Sequence, residues 1–291
     1  MTRVLFNFTN RCNIQCRHCY ASCGPHGETM SMENIERVIE HMPKNTFYFD
    51  ISGGEPLMET ERLMQMMGYI MKNKPRIMPD ATHGMLTNGF WIKSANAYAI
   101  LKELFDKGIS LIEITSNDKF HREQGINGEE LANHVSSLMG QLAAETGKIE
   151  RGYGRHNRLE STEGHTLLEV NSREYYITAH PFGRGRELEN NEIESDSFCK
   201  IAIRRQIEPA IGPDGLVYPC CWRVTPSIGS AIESPLEDLV ENMAKSELFS
   251  ALLKGGPKGA AQVLGVYREE DKEIYKRNPC VKCEEIFREL R

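Results

Sequence analysis

Cys12, Cys16 and Cys19 stand in the spacing CxxxCxxC, within Cys12-Asn13-Ile14-Gln15-Cys16-Arg17-His18-Cys19-Tyr20. Three thiolates on one short loop can hold three irons of a [4Fe–4S] cube, because cysteine thiolates are the usual ligands of such clusters. Three ligands for four irons leave one iron open, and an open iron can bind a substrate. The count points to chemistry rather than electron storage. Two other readings stay open. Positions 12, 16 and 19 are i, i+4 and i+7, one buried helix face if cysteine acts as a small core hydrophobe. Asn10, Arg11, Asn13 and Gln15 make a poor helix start, however, and Gly24-Pro25 breaks the chain soon after. Zinc is the other reading, although it favours paired C-x2-C and C/H sets that close a tetrahedron.

The elements around this loop alternate. Val4-Leu5-Phe6-Asn7-Phe8 reads as a strand leading into it. Ser31 opens a helix with Met32, Ile35, Val38, Ile39 and Met42 at helical spacing. A second strand, Phe47-Tyr48-Phe49-Asp50-Ile51, runs into Ser52-Gly53-Gly54-Glu55-Pro56. A helix follows with Leu63, Met64, Met67, Ile70 and Met71, a Met-rich face read as core. Next come a strand ending Met85-Leu86-Thr87-Asn88-Gly89, a helix with Tyr98, Leu101, Leu104 and Phe105, and a strand over 109–116. A helix near 129–145 carries Leu131, Val135, Leu138 and Leu142. Four βα units imply a parallel sheet with helices outside and functional loops at the strands' C-terminal ends. The cysteines, GGEP, TNG and Ser116-Asn117-Asp118 each fall at such an end.

Composition narrows the class. The 291 residues are 26% charged and 40% hydrophobic, ordinary for a globular protein. A net charge of −6 argues against a broad nucleic-acid surface. No apolar run approaches the ~18 residues of a membrane span, and the N-terminus lacks a signal-peptide core. Nine cysteines without such a signal predict metal in a reducing cytoplasm rather than disulfides.

CxxxCxxC after a first strand, followed by GGEP after a second, resembles the radical S-adenosylmethionine (SAM) superfamily. The aromatic residue that usually precedes the third cysteine is here His18. The resemblance implies a partial (β/α)6 barrel and a [4Fe–4S] cluster on Cys12, Cys16 and Cys19 with SAM at its open iron. It implies SAM contacts from His18, Tyr20, Gly53, Gly54, Glu55, Pro56, Thr87, Asn88, Ser116 and Asp118. The acidic side chain of GGEP receives the SAM amino group, and its glycines let the main chain approach the ligand. Lys119-Phe120-His121-Arg122-Glu123 resembles a D-x-F-H-x-E continuation of some members, and Pro181-Phe182-Gly183-Arg184-Gly185 the P-x-GRA turn that ends the barrel. For each single polar residue a turn or cap is the plain alternative.

Strands five and six are not legible. Residues 147–166 show no period, and their basic part (Lys148, Arg151, Arg155, His156 and Arg158 around Tyr153) reads as a solvated loop. Strands at 167–170 and 175–180 are too close for a crossover helix, so they form a hairpin or strand five lies elsewhere.

An acidic run separates a second cysteine region, giving a barrel over 1–186, a linker over 187–198 and a small α+β tail over 199–291. Gly212-Pro213-Asp214-Gly215 reads as a hairpin turn. A helix should start at Ser234-Pro235 and stop near Gly255-Gly256-Pro257. C-x15-G-x4-C from Cys199 and the closing Cys280-x2-Cys283 resemble the Twitch domain, the short form of the SPASM auxiliary-cluster extension. This implies one auxiliary [4Fe–4S] cluster on Cys199, Cys220, Cys280 and Cys283; on spacing alone, zinc suits four cysteines equally well.

The implied chemistry is reductive cleavage of SAM to a 5′-deoxyadenosyl radical, fed by a flavodoxin- or ferredoxin-type donor. Hydrogen abstraction from a peptide or small molecule follows. A four-cysteine cluster suits electron transfer, so a net two-electron oxidation (dehydrogenation or cross-link) is the leading reading. Redox-neutral epimerisation or rearrangement is the alternative, with Cys23 and Cys221 as hydrogen-donor candidates; a non-catalytic Fe–S or zinc scaffold is another. The strand beginning so near Met1 leaves no N-terminal peptide-recognition domain in this reading, which favours a small molecule or a peptide delivered by a partner.

Overall fold

Alternate residues of the first strand set the layering. In β1 (Arg3–Thr9) the apolar Val4, Phe6 and Phe8 are fully buried on one face, and Asn7 and Thr9 lie on the other. A computed structural model describes residues 3–114, 119–147, 149–153, 156–160, 166–172, 183–188, 199 and 207–288. β2 (Tyr48–Gly53), β3 (Thr82–Thr87) and β4 (Ile109–Ile114) follow in parallel, with Phe6 opposite Ile51, Ile51 opposite Met85 and Met85 opposite Ile112. Those residues share one core with the apolar faces of α1 (Met32–Glu40), α2 (Thr60–Ile77), α3 (Ala97–Asp106) and α5 (Gly128–Thr146). A short α4 (Lys119–Glu123) precedes the last of these. The Met-rich face of α2 is mostly core as expected: Leu63, Met67 and Ile70 are buried, whereas Met71 is exposed and Met66 takes an inward place.

The serine that opens α1 caps it, its hydroxyl accepting from the Asn34 N–H at 3.2 Å. Ser31→Ala should therefore cost about 1 kcal/mol in chemical denaturation. An unchanged midpoint would show that the cap contributes nothing.

Beyond β4 the sheet departs from the sequence reading. The segment read as a solvated loop holds two strands, β5 (Ile149–Tyr153) and β6 (His156–Glu160), which pair antiparallel with Tyr153 opposite His156. β6 also pairs antiparallel with β7 (Thr166–Ser172), and β7 lies parallel beside β4. The hairpin is thus 149–160, and the fifth parallel strand is β7. A five-residue strand with two adjacent charges and a glycine gives periodicity little to detect, which is how an edge stays hidden. The strand expected at 175–180 lies outside the described residues, as do Lys148, Arg155, Ser116, Asn117 and Asp118.

The other flank of β1 is taken by the tail. β8 (Ala210–Ile211) is parallel to β1, and β9 (Val217–Tyr218) turns back against β8, so nine strands run in the order β5-β6-β7-β4-β3-β2-β1-β8-β9. The expected turn forms at Gly212–Gly215, where Gly215 takes φ +79° and the Asp214 carboxylate accepts from the Leu216 N–H at 3.0 Å. Ile211, Val217, Ala231, Leu236 and Leu239 join the main core. The expected stop at Gly255–Pro257 is present as a break at Gly256, but two helices rather than one precede it. α6 (Leu236–Ala244) is followed by α7 (Glu247–Val263), which kinks at Gly256 (φ +62°) and resumes through Pro257. Proline is tolerated there because it opens the first turn of the resumed segment. α8 (Lys272–Arg277) and α9 (Pro279–Arg288) end the described chain. The fold is mixed α/β with a mainly parallel sheet. Among the described residues, no helix is long and apolar enough to cross a membrane.

Candidate active site

The cysteine segment after β1 is a loop, not a helix, so the helical-face reading of positions 12, 16 and 19 is withdrawn. It is closed at its base. The Cys12 N–H donates to Gly24 O at 2.9 Å, the Gly24 N–H to Asn10 O at 3.1 Å, and the Asn10 N–H to Glu28 O at 2.7 Å. Cys12 and Cys16 are buried and Cys19 is half-buried. Burial pushes the Cys12 thiol up to about 11, since a lone thiolate there would be poorly solvated. Cys19 is held at about 6, first by a hydrogen bond from the Cys23 thiol and against the pull of burial.

The end of β2 presses on this loop. The Gly54 N–H donates to Thr9 O at 2.8 Å and the Glu55 N–H to Arg11 O at 2.7 Å. A Cβ on Gly53 (φ +145°) would stand 2.1 Å from Thr9 O, and one on Gly54 would stand 2.1 Å from Arg11 O. Both glycines are thus required by the approach of the chain's own backbone. Pro56 is buried at the start of the turn that follows.

Glu55 is fully buried, and its carboxylate gathers three donors from two strand ends. It accepts from the Thr87 hydroxyl at 2.8 and 3.0 Å, the Asn88 N–H at 2.7 Å and the Leu57 N–H at 3.2 Å. The Asn88 side chain then donates to Asn13 Oδ1 at 2.9 Å and lies 3.8 Å from the Cys12 sulfur. CxxxCxxC, GGEP and TNG therefore form one hydrogen-bonded unit at the C-terminal ends of β1, β2 and β3.

Burial holds the Glu55 carboxyl up at about 7 despite those donors. Between the ordinary carboxylate range and that value the folded chain binds the extra proton, so the contribution of this group is full at acid pH and is lost as pH rises through about 7. The loss from this group should be about 3 kcal/mol. Glu55→Gln should flatten that part of the stability profile measured by denaturation between pH 4.5 and 8; an unchanged slope would assign it elsewhere.

Further contacts fix the loop. Half-buried His18 stacks on Phe120, ring centres 4.6 Å apart, and meets His121 edge-on at 5.3 Å. Phe120 and Leu188 pack with Cys16, so the F-H pair resembling the family's continuation lies against the loop. Arg184 donates from Nε to Cys16 O at 3.0 Å and from its backbone to Cys19 O at 3.1 Å. Gly183 (φ +52°) has no room for a Cβ against Tyr20 O. Sequence reading placed GRG at the barrel's end but missed this role of Arg184; the glycine before it was the available signal.

The tail cysteines partly gather. Cys280 and Cys283, one turn apart on α9, are buried with Val224, Leu252, Ala260 and Phe287, and Cys220 packs on this group. Cys221 hydrogen-bonds Cys220 through its thiol, and Cys199 is half-buried. Tyr20 reaches the same group, its ring edge-on to Trp222 at 5.2 Å, with the Arg223 guanidinium 5.7 Å above it. Arg186 pairs with buried Glu284 of α9 at 2.8 Å. These contacts seat the tail on the cysteine loop.

Among the described residues, no three or more His, Cys, Asp or Glu side chains are set to hold a metal ion. The fit of the loop to a cluster rests on its donor set, three cysteines with two buried sulfurs. A groove of about 650 Å³ between α2 and α3, lined by Thr60, Met64 and Lys107 among others, contains none of the motif residues.

Known proteins share parts of this arrangement. A stretch of 123 residues is 30% identical to 7,8-dihydro-6-hydroxymethylpterin dimethyltransferase of Methanocaldococcus jannaschii, covering 38% of this chain and 22% of that protein. A stretch of 126 residues is 27% identical to the antilisterial bacteriocin subtilosin biosynthesis protein AlbA of Bacillus subtilis, covering 41% and 27%. The chain thus spans about a quarter of the length of these relatives. The crystal structure of BtrN in complex with AdoMet and 2-DOIA has the same fold, with a TM-score of 0.50 over 88% of both chains at 17% identity. Residues 6–127, in which the cysteine loop, GGEP and TNG meet, match the Radical SAM superfamily.

Proposed function

We propose that the chain is a radical SAM enzyme whose Cys12, Cys16 and Cys19 hold a [4Fe–4S] cluster. When bound, that cluster supplies the electron that cleaves SAM to methionine and a 5′-deoxyadenosyl radical, which takes a hydrogen atom from substrate. The observation that carries this reading is Asn88, whose backbone donates to Glu55 while its amide donates beside Cys12. Strand ends distant in sequence are locked into one site by the residues that the family uses. Gly53 to Pro56, Thr87 and Asn88, with Ser116 and Asp118, are the proposed SAM contacts. Arg184 and the Phe120–His18 stack hold the loop in place.

The tail is proposed to carry a Twitch-like auxiliary cluster on Cys199, Cys220, Cys280 and Cys283. Support comes from the gathering of three of these cysteines in one apolar group against Tyr20. Four cysteines leave no open iron, so this cluster is assigned to removing the electron left on the substrate, with its potential tuned by its surroundings. The net reaction is then a two-electron oxidation, dehydrogenation or cross-link, of a peptide or small molecule. A flavodoxin- or ferredoxin-type donor in a reducing cytoplasm completes the scheme.

Cys280→Ala with Cys283→Ala tests it. Anaerobically reconstituted native protein should hold about eight irons, and the folded variant about four. The variant should still form 5′-deoxyadenosine from SAM under dithionite but release no oxidised product. Native protein with four irons and one zinc would remove the auxiliary Fe–S assignment. A native product of unchanged mass carrying solvent deuterium would replace oxidation by an epimerase-like reaction.

A further inference from the structure

A fourth cysteine lies within the ligand loop and outside the CxxxCxxC set. Cys23 is 3% exposed. Its backbone N–H donates to the Cys19 sulfur at 3.4 Å, and its thiol is 3.6 Å from Asn10 Oδ1. The thiol also lies within hydrogen-bond reach of the Cys19 sulfur. This placement is built rather than incidental. Ser22 adopts φ +53°, unusual for a residue with a side chain, and the Ser22 N–H donates to Cys19 O at 3.2 Å. Gly24 is then pinned to Asn10 and Cys12, so Cys23 is drawn inward between two anchored neighbours.

We propose that Cys23 is a positioning residue whose thiol, donating to Asn10 Oδ1, holds its backbone N–H on the Cys19 sulfur and so sets the electron affinity of the cluster that Cys19 ligates. The inference rests on the cluster assignment above. Hydrogen bonds to a cluster's sulfurs stabilise its more negative, reduced form and raise its potential. The donor to the sulfur is main chain, and the anchor that holds it there is the side chain. Asn10 Oδ1 accepts the thiol's one proton at 3.6 Å, which fixes the residue with its N–H on the Cys19 sulfur at 3.4 Å. In this arrangement the effect of Cys23 travels through Cys19.

The test is redox titration of the Cys12/Cys16/Cys19 cluster, followed by electron paramagnetic resonance in holoprotein that also carries the tail. At a fixed potential near the native midpoint, Cys23→Ala should lower the ratio of reduced to oxidised cluster by up to about tenfold, the worth of one hydrogen bond to a charged sulfur. Cys23→Ser, which keeps a donor on a stem of similar length, should restore most of it. Cys23→Val serves as a second donor-free variant nearer the thiol's volume if the alanine variant loads iron poorly. An unchanged ratio in donor-free variants that carry full iron overturns the inference alone. Native protein that binds no cluster dependent on Cys12, Cys16 and Cys19 overturns it together with the proposed function.

Discussion

Replacing Cys12, Cys16 and Cys19 together by Ala should abolish SAM cleavage and remove about half of the bound iron. The loop offers these three thiols and no carboxylate or imidazole set in their place among the described residues. With those three sulfurs gone, Cys23 is the one thiol left on the loop, and a single thiol does not hold a cube. Glu55, Thr87 and Asn88 bond chiefly to one another and to the loop, so they should survive the change. Cys12 and Cys16 are buried, and alanine removes only small volumes there. The cost in stability should be about 1–2 kcal/mol per site, so the variant should stay folded. Iron assay, circular dichroism and quantification of 5′-deoxyadenosine under dithionite read the three outcomes separately. Retained SAM cleavage in a folded triple variant would sink the assignment of the catalytic cluster to this loop.

The sequence made the βα alternation and its motifs legible because parallel strands buried on both faces carry apolar runs. Val4-Leu5-Phe6 is such a run, and Phe49 and Ile51 flank a buried Asp50 in the second strand; both strands end at residues with an obvious chemical use. What stayed hidden depends on neighbours distant in the chain. Arg184 meets Cys16 across 168 positions, and no local pattern announces that contact. The ring of Tyr20, for which the resemblance implies a SAM contact, meets Trp222 of the tail, and no local pattern announces that either. The 149–160 hairpin is hidden for another reason: its edge strand, Ile149-Glu150-Arg151-Gly152-Tyr153, lacks the apolar alternation that periodicity detects. Gly53 and Gly54 were recognised as necessary, but the reason differs. Sequence reading gives them to a ligand, whereas the backbone of residues 9–11 occupies the space beside them.

That difference makes Gly54→Val a sharp experiment. If the glycine serves only a bound ligand, the variant should load its clusters normally and lose SAM affinity alone. The geometry predicts more. A Cβ at Gly54 would sit 2.1 Å from Arg11 O, 2.6 Å from Arg11 C and 2.9 Å from Asn10 C, all main-chain atoms. No rotamer change can relieve a clash with backbone, so either β2 or residues 10–11 must move. Movement there breaks the Gly54 N–H to Thr9 O and Glu55 N–H to Arg11 O bonds, and Arg11 directly precedes Cys12. Gly54→Val should therefore cost at least about 3 kcal/mol and strip the first cluster along with SAM binding. Gly68→Ala is the matched control. It adds a Cβ in α2 with no heavy atom within 4 Å, and should raise stability by about 0.5–1 kcal/mol. Denaturation midpoints, iron content and SAM affinity measured on both variants decide the matter. A Gly54→Val protein with native stability and full iron would show that the loop tolerates the intrusion, and that the glycine is kept for SAM alone.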